Sequence, residues 1–244
     1  MVEITYFIIG FIGTFIGTLA GGGGLISLPA MLVTGVPIHS AIAANKFSNI
    51  FSSFSSFLVL LKEKKIKLTS ALIVAPFSFL GGISGGKIAT SISEEYMTVV
   101  AIILLSFALV LNFLKKPQEK EETKEKIPKR VYPYLFGIGL YDGMFGPGQG
   151  TLLMYTLLHY GFSYISAVAF TRFQTFLSCL GAFTVFFTSG HMNWNVTLFL
   201  AAGSILGAQV SVRFAQRLSK GQLQFILRLV TIALILQLSY RIIM

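Results

Sequence analysis

Apolar residues dominate this chain in long runs, and polar residues fall between the runs more than within them. The runs cover roughly 4–20, 23–34, 38–61, 67–90 and 96–114, then 132–146, 149–160, 164–189, 193–216 and 221–243. Stretches such as "SALIVAPFSFLGGISGG" and "MTVVAIILLSFALVLNFL" hold enough apolar length to cross, or nearly cross, a bilayer core that needs about 20 residues per helix. No period-two alternation marks them, so a transmembrane β-barrel is excluded. The pattern predicts an all-α polytopic membrane protein. In each half the first two runs are short, and glycines interrupt them: "LAGGGGLISLP" in the first and "FGPGQGTLLMY" in the second.

The two interruptions belong to a repeat. Sliding the chain so that Gly22 meets Gly148 aligns residues 20–53 with 146–179 without a gap. Gly24 then meets Gly150, Gly35 meets Gly161, and "SAIAANKF" meets "SAVAFTRF", so Lys46 and Arg172 are equivalent. Between the halves lies "KKPQEKEETKEKIPKR", charged and nearly free of apolar residues, which reads as a solvated linker. The expected organisation is an N-terminal transmembrane repeat over 1–114, a cytoplasmic linker over 115–131 and a C-terminal repeat over 132–244.

Orientation follows from the cations. "KEKKIK" (62–67), the linker and "RFAQRLSK" (213–220) all belong on the cytoplasmic side by the positive-inside rule. That requires 132–160 to enter and return on one side, as a hairpin with "FGPGQG" at its tip. Each half then holds a Gly-broken helix pair plus three full crossings, and the second half is inverted relative to the first. The alternative is one kinked crossing per Gly-rich pair, with parallel halves. Both arrangements put the breaks near mid-membrane. Paired short, Gly-interrupted segments in two halves are a sign of a transporter site.

Composition agrees. The chain of 244 residues is 54% hydrophobic and 11% charged, with a mean hydropathy of +0.77, whereas soluble domains carry about 25% charged residues. The net charge of +10 sits mostly in short loops, so it speaks for membrane orientation and against nucleic acid. Glu3 and the absence of an N-terminal cation speak against a cleaved signal peptide. The single cysteine, Cys179, forms no internal disulfide and no Cys-rich metal site.

Candidate chemistry lies at the breaks. Non-helical backbone at membrane depth is tolerated where it is buried in protein or faces a wet cavity. Helices starting near Leu25 and Thr151 would aim unpaired N–H groups and partial positive charge at that gap. Ionisable residues in the membrane are costly and usually functional, and here Lys46 and Arg172 are nearby cations. Asp142 is the one acid inside an apolar run, read as a partner of Arg172 or as a proton-coupling group. The predicted anion site comprises Gly22, Gly23, Gly24, Asn45, Lys46, Asn49, Gly148, Gln149, Gly150, Arg172 and Gln174. His39, His159 and His191 are scattered near segment ends without metal spacing, so no metal and no cofactor is expected. The expected partners are a small anionic substrate and membrane lipid, and a homodimer is compatible with the chain. One buried acid, one cysteine and scattered histidines do not assemble an enzyme, and no Walker motif powers transport by ATP. The expected function is a secondary transporter working by alternating access about this central site, with a passive anion channel as the alternative.

"GTLAGGGGLISLPAMLVTGVPIHSAIAANKFSNI" and its counterpart from Gly143 resemble the two Gly-rich repeats of the sulfite exporter TauE/SafE family. Gly22, Gly23, Gly24 and Pro29 carry the first motif. In the second, Gln149 stands in place of a glycine and Tyr155 in place of the proline. The resemblance covers nearly the whole chain. It implies export or permeation of small sulfur-containing anions such as sulfite or sulfonates.

Overall fold

The computed structural model describes residues 2–20, 24–113 and 127–214, together with Ile232, and these are helical apart from short turns. The elements are α1 (Val2–Ala20), α2 (Gly24–Val33), α3 (Ile38–Lys62), α4 (Leu68–Leu72), α5 (Ala75–Ser91) and α6 (Glu94–Phe113) in the first half. A 3-10 turn (Lys129–Val131) leads into α7 (Tyr132–Met144), α8 (Gln149–His159), α9 (Tyr164–Thr188) and α10 (Trp194–Phe214). The predicted run 67–90 appears as α4 and α5, with a break at Ile73–Val74. Pro76 in the first turn of α5 has no N–H to continue a ladder from α4. The run predicted at 221–243 lies outside the described residues, as does most of the linker.

The outer surface identifies the solvent. On α6, Met97, Ala101, Leu105 and Ala108 are fully buried, whereas Val99, Ile103, Phe107, Val110 and Phe113 are exposed. A helix apolar on both faces, with one packed and one open, has lipid against the open face. Three described stretches, Leu68–Ser91, Glu94–Leu111 and Tyr164–Thr188, are long and apolar enough to cross a membrane. The protein is an integral membrane protein.

Helix directions follow from which residues meet. Going up α1, the backbone at Phe7 and Phe11 lies against Gly203 and Gly207 of α10, and Phe15 accepts from Ser211 at 2.6 Å. Both numberings rise, so α1 and α10 run parallel. In the same way α7 runs parallel to α5, with Gly139 against Ser78 and Gly143 against Gly82. The long helices α3 and α9 run antiparallel, since Phe47, Phe54 and Phe57 pair with Phe183, Phe176 and Phe173. Two apolar cores form at opposite ends. One gathers α1, α2, the start of α3, the ends of α5 and α9, the buried face of α6 and the start of α10. The other gathers the end of α3, α4, the 3-10 turn, α8 and the start of α9.

This geometry decides what the short helices do. α2 has 10 residues, about 15 Å of helix, half the roughly 30 Å of a hydrocarbon core. α1 starts beside the start of α10, and α2 leads through Pro37 into the start of α3 at that same end. The α1–α2 pair therefore returns to the end from which it entered. The α7–α8 pair likewise begins beside the start of α5 and ends at the start of α9, at the opposite end. Both pairs are hairpins, and the single kinked crossing is not what the chain adopts.

The hairpins are held by backbone contact. A Cβ at Gly143 would collide with the backbone of Gly82, and the clash is between main chains that cannot swing away. Gly137, on the same helix, faces open space. Gly143→Leu is therefore expected to abolish a monodisperse peak in fluorescence-detected size-exclusion chromatography, since overpacking costs about 1–3 kcal/mol or more. Gly137→Ala is expected to leave the peak unchanged.

Candidate functional site

The two breaks meet. α2 begins at Gly24 and α8 at Gln149, close to the starts predicted near Leu25 and Thr151. In the second break Gly146 and Gly148 have φ of +106° and +86°, left-handed values that glycine adopts without strain. The Tyr141 hydroxyl donates to the Pro147 carbonyl at 2.5 Å and ties the loop to its own helix. A Cβ at Gly24 would lie 3.3 Å from Pro147, so the start of α2 sits directly against the second break. Gly22 and Gly23 lie outside the described residues.

Each buried cation reaches across to the other half. Lys46 on α3 is fully buried. Its ammonium donates to the carbonyls of Asp142 and, at 3.2 Å, Phe145, where α7 ends. Arg172 on α9, at the equivalent position, donates at 3.0 Å to the carbonyls of both Gly17 and Thr18, in the last turn of α1. The last carbonyls of a helix lack intrahelical partners and carry partial negative charge. Each cation thus caps the broken helix of the opposite half.

The two caps differ in charge balance. Lys46 also pairs with Asp142 Oδ1 at 3.1 Å, and Asp142 is itself 2% exposed. The other carboxylate oxygen accepts from Ser178, with Cys179 Sγ at 3.6 Å. The sequence offered Asp142 to Arg172; the structure gives it to Lys46, because Asp142 sits in the turn of α7 that Lys46 caps. Among the described residues no carboxylate lies within 4.0 Å of Arg172.

A cavity of about 40 Å³ occupies the meeting point, lined by Gly24, Asn45, Asn49, Gly148, Gln149, Gly150 and Arg172 from the predicted set and by Asp142. Lys46 is not in its wall. Gln174 is not either; it donates at 2.9 Å to the Leu135 carbonyl and ties α9 to α7. Asn45 donates at 2.9 Å to Ser27 on α2, and Asn49 donates at 2.9 Å to Asn45. Three buried groups on wall residues have no partner among the described residues: Arg172 Nε and Gln149 Nε2, which only donate, and the Thr18 hydroxyl, which donates or accepts. Gln149 is oriented by Thr175, whose hydroxyl donates to Oε1 at 3.0 Å. The wall also holds Thr14, Gly17, Thr18, Thr171 and Thr175, which the sequence reading passed over. Their signal was polar pairs at i, i+4 within apolar runs, a spacing that places both on one helix face. Thr171 and Thr175 align with Asn45 and Asn49 in the repeat, and all four line the cavity.

The sulfite exporter TauE/SafE family profile matches residues 6–238. The chain belongs to this family. Its relatives include a probable membrane transporter protein, ORF9, of Sinorhizobium, 35% identical over 239 residues, covering 95% of this chain and 90% of the relative. A probable membrane transporter protein of Haemophilus influenzae is 33% identical over 225 residues, covering 88% and 85%. The probable membrane transporter protein YunE of Bacillus subtilis is 27% identical over 261 residues, covering 96% of each. This family member is a membrane transporter, and its membership implies transport rather than enzymatic turnover.

For this transporter the Lys46–Asp142 pair is a stability element. Removing one partner of a buried ion pair costs about 3–5 kcal/mol because the other charge is left unpaired. Lys46→Met is expected to lower the thermal midpoint of the detergent-purified protein sharply. The double variant Lys46→Met/Asp142→Leu is expected to recover a large part of that loss.

Proposed function

We propose that this TauE/SafE member is a secondary transporter of small sulfur-containing oxyanions, with sulfite as the fitting case. The observation that carries the reading is that Arg172 and Gln149, which line one cavity, each hold a buried donor, Nε and Nε2, with no partner among the described residues. Lys46 and Asp142 balance each other, so Arg172 is the uncompensated charge at the site. The starts of α2 and α8 add the partial positive charge of two helix N-termini. An oxyanion offers acceptors for all of these groups, and a charged acceptor makes the stronger hydrogen bond. Size narrows the class. A water needs about 10–15 Å³, so a cavity of about 40 Å³ suits a compact oxyanion. An organosulfonate needs the cavity to open.

The mechanism proposed is alternating access about this site. The halves 1–114 and 132–244 are read as an inverted repeat. Support comes from the paired packing, α1 on α10 and α7 on α5, and from hairpins that enter from opposite ends. Lys62, Lys64, Lys65 and Lys67, the 3-10 turn with Lys129 and Arg130, and Arg213 at the end of α10 gather toward one end. That supports a cell-membrane location with that end, and the linker 115–131, in the cytoplasm. Two breaks closing on one compact site favour a carrier that holds one ligand at a time over a continuous pore. Asp142 lines the same cavity and is the carboxylate placed to couple protons. Direction of net flux is set by the gradient.

A thermal-shift series on the purified protein with sulfite, sulfate, taurine and acetate tests this reading, because a ligand that binds the native state alone raises apparent stability. Sulfite is expected to raise the midpoint of the wild type. Gln149→Leu is expected to keep the unliganded midpoint and weaken sulfite by about tenfold or more, the worth of one hydrogen bond to a charged group. No shift with either sulfur oxyanion in a folded protein would overturn the substrate class.

A further inference from the structure

The fold joins two histidines that are far apart in sequence, at the end of the molecule away from the lysine-rich turn. His39 lies in the first turn of α3, Glu94 opens α6, and His191 sits in the turn between α9 and α10. Ligand atoms from the three all lie within 4.8 Å of one another. The rings of His39 and His191 stack with centroids 4.7 Å apart and planes 21° apart. Neither the anion site nor the capping of the hairpins uses any of them.

The decisive detail is the state of His39, which is 2% exposed. Its Nε2 lies 3.0 Å from the Ala89 carbonyl. A carbonyl only accepts, so Nε2 carries a proton and Nδ1 is the atom left to bind a cation. That buried Nδ1 has no hydrogen-bond partner among the described residues and faces Glu94 Oε1 at 3.5 Å. A cation between the two, a proton or a metal ion, satisfies both atoms. Metal-ligating histidines are held in just this way, with the far ring N–H donated to a backbone carbonyl. On a tetrahedral ion with bonds of about 2.0–2.1 Å, neighbouring ligand atoms stand about 3.3 Å apart. The Nδ1–Oε1 separation already matches.

The geometry points to a divalent transition-metal site of the Zn²⁺ class, with His39 Nδ1, the Glu94 carboxylate and His191 as its three protein ligands. Two imidazoles and one carboxylate are a known zinc donor set, with the fourth position left to water. Mg²⁺ prefers oxygen ligands and is a poor match. Glu94 is exposed and His191 half-buried in the turn after Gly190, and the site needs both to close on the ion while His39 stays fixed. The ion would join the start of α3, the start of α6 and the α9–α10 turn, and so link the two halves of the chain at one end. This site is independent of the anion reading, and either stands without the other.

Metal uptake by the untagged full-length protein tests it, after chelator stripping and reconstitution in detergent, by equilibrium dialysis against micromolar Zn²⁺ with elemental analysis. The expected result is saturable uptake of about one Zn²⁺ per chain, unaffected by excess Mg²⁺. His191→Ala and Glu94→Gln change exposed or half-exposed side chains and are expected to elute as the wild type does. Each is expected to weaken Zn²⁺ by about tenfold or more, and to lose the Zn²⁺-induced rise in thermal midpoint. His159→Ala, on the exposed end of α8, is expected to bind as the wild type. No saturable uptake, or uptake that survives in both ligand variants, would overturn the proposal. A midpoint that responds to acidification in a protein taking up no metal would also overturn it, by assigning the gap between His39 and Glu94 to a proton.

Discussion

A helix that stops inside a membrane leaves its last carbonyls without partners where no water can serve them. This transporter meets that constraint twice, each time with a cation from the other half of the chain. Arg172 caps the last turn of α1, and Lys46 caps the end of α7. The exchange explains why both hairpin tips lie against the long helices α3 and α9. It also explains why a lysine and an arginine occupy matching positions deep in apolar segments.

The site follows from an asymmetry in this exchange. Lysine is a compact charge, and Asp142 neutralises it within the same turn. Arginine is a planar fork with five N–H donors. The two bonds from Arg172 to α1 come from one terminal nitrogen, and Nε has no partner among the described residues. Lys46 thus meets a carboxylate and two carbonyls, whereas Arg172 meets carbonyls at its tip alone. Gln149 contributes another donor without a partner among the described residues, and it stands where the family's first motif has a glycine. Asn45 holds α3 to α2 through Ser27, and Asn49 supports Asn45 from one turn further along α3.

Much of this was legible in the chain. The break positions at Gly24 and Gln149 and the burial of Lys46 and Arg172 follow from glycine spacing and run length, and of the two courses open to each Gly-rich pair the structure takes the hairpin. Partner choice was not legible there. Asp142 precedes the second break by a few residues and reads as near Arg172 in sequence, but helix direction brings it to Lys46. The threonines at 14, 18, 171 and 175 were passed over because threonine is unremarkable in apolar helices until a cavity is found beside it. Gln174 has the right chemistry and points to α7 instead. His39 and His191 carry no local spacing signal; only the antiparallel course of α3 and α9 brings them into contact. The break at Ile73–Val74 was foreshadowed by Pro76, which the apolar run concealed.

The central claim is that Arg172 Nε and the amide of Gln149 together hold the oxyanion between the two breaks. Selenite is a heavier relative of sulfite with the same shape and charge type, and selenium scatters anomalously. A crystal of the transporter grown with selenite therefore locates the anion without reference to flux. The expected result is an anomalous peak within hydrogen-bonding reach of Arg172 Nε and Gln149 Nε2, in the cavity beside Gly24 and Gly148. A selenium peak bound by Lys46, or at a site away from both helix breaks, would contradict it.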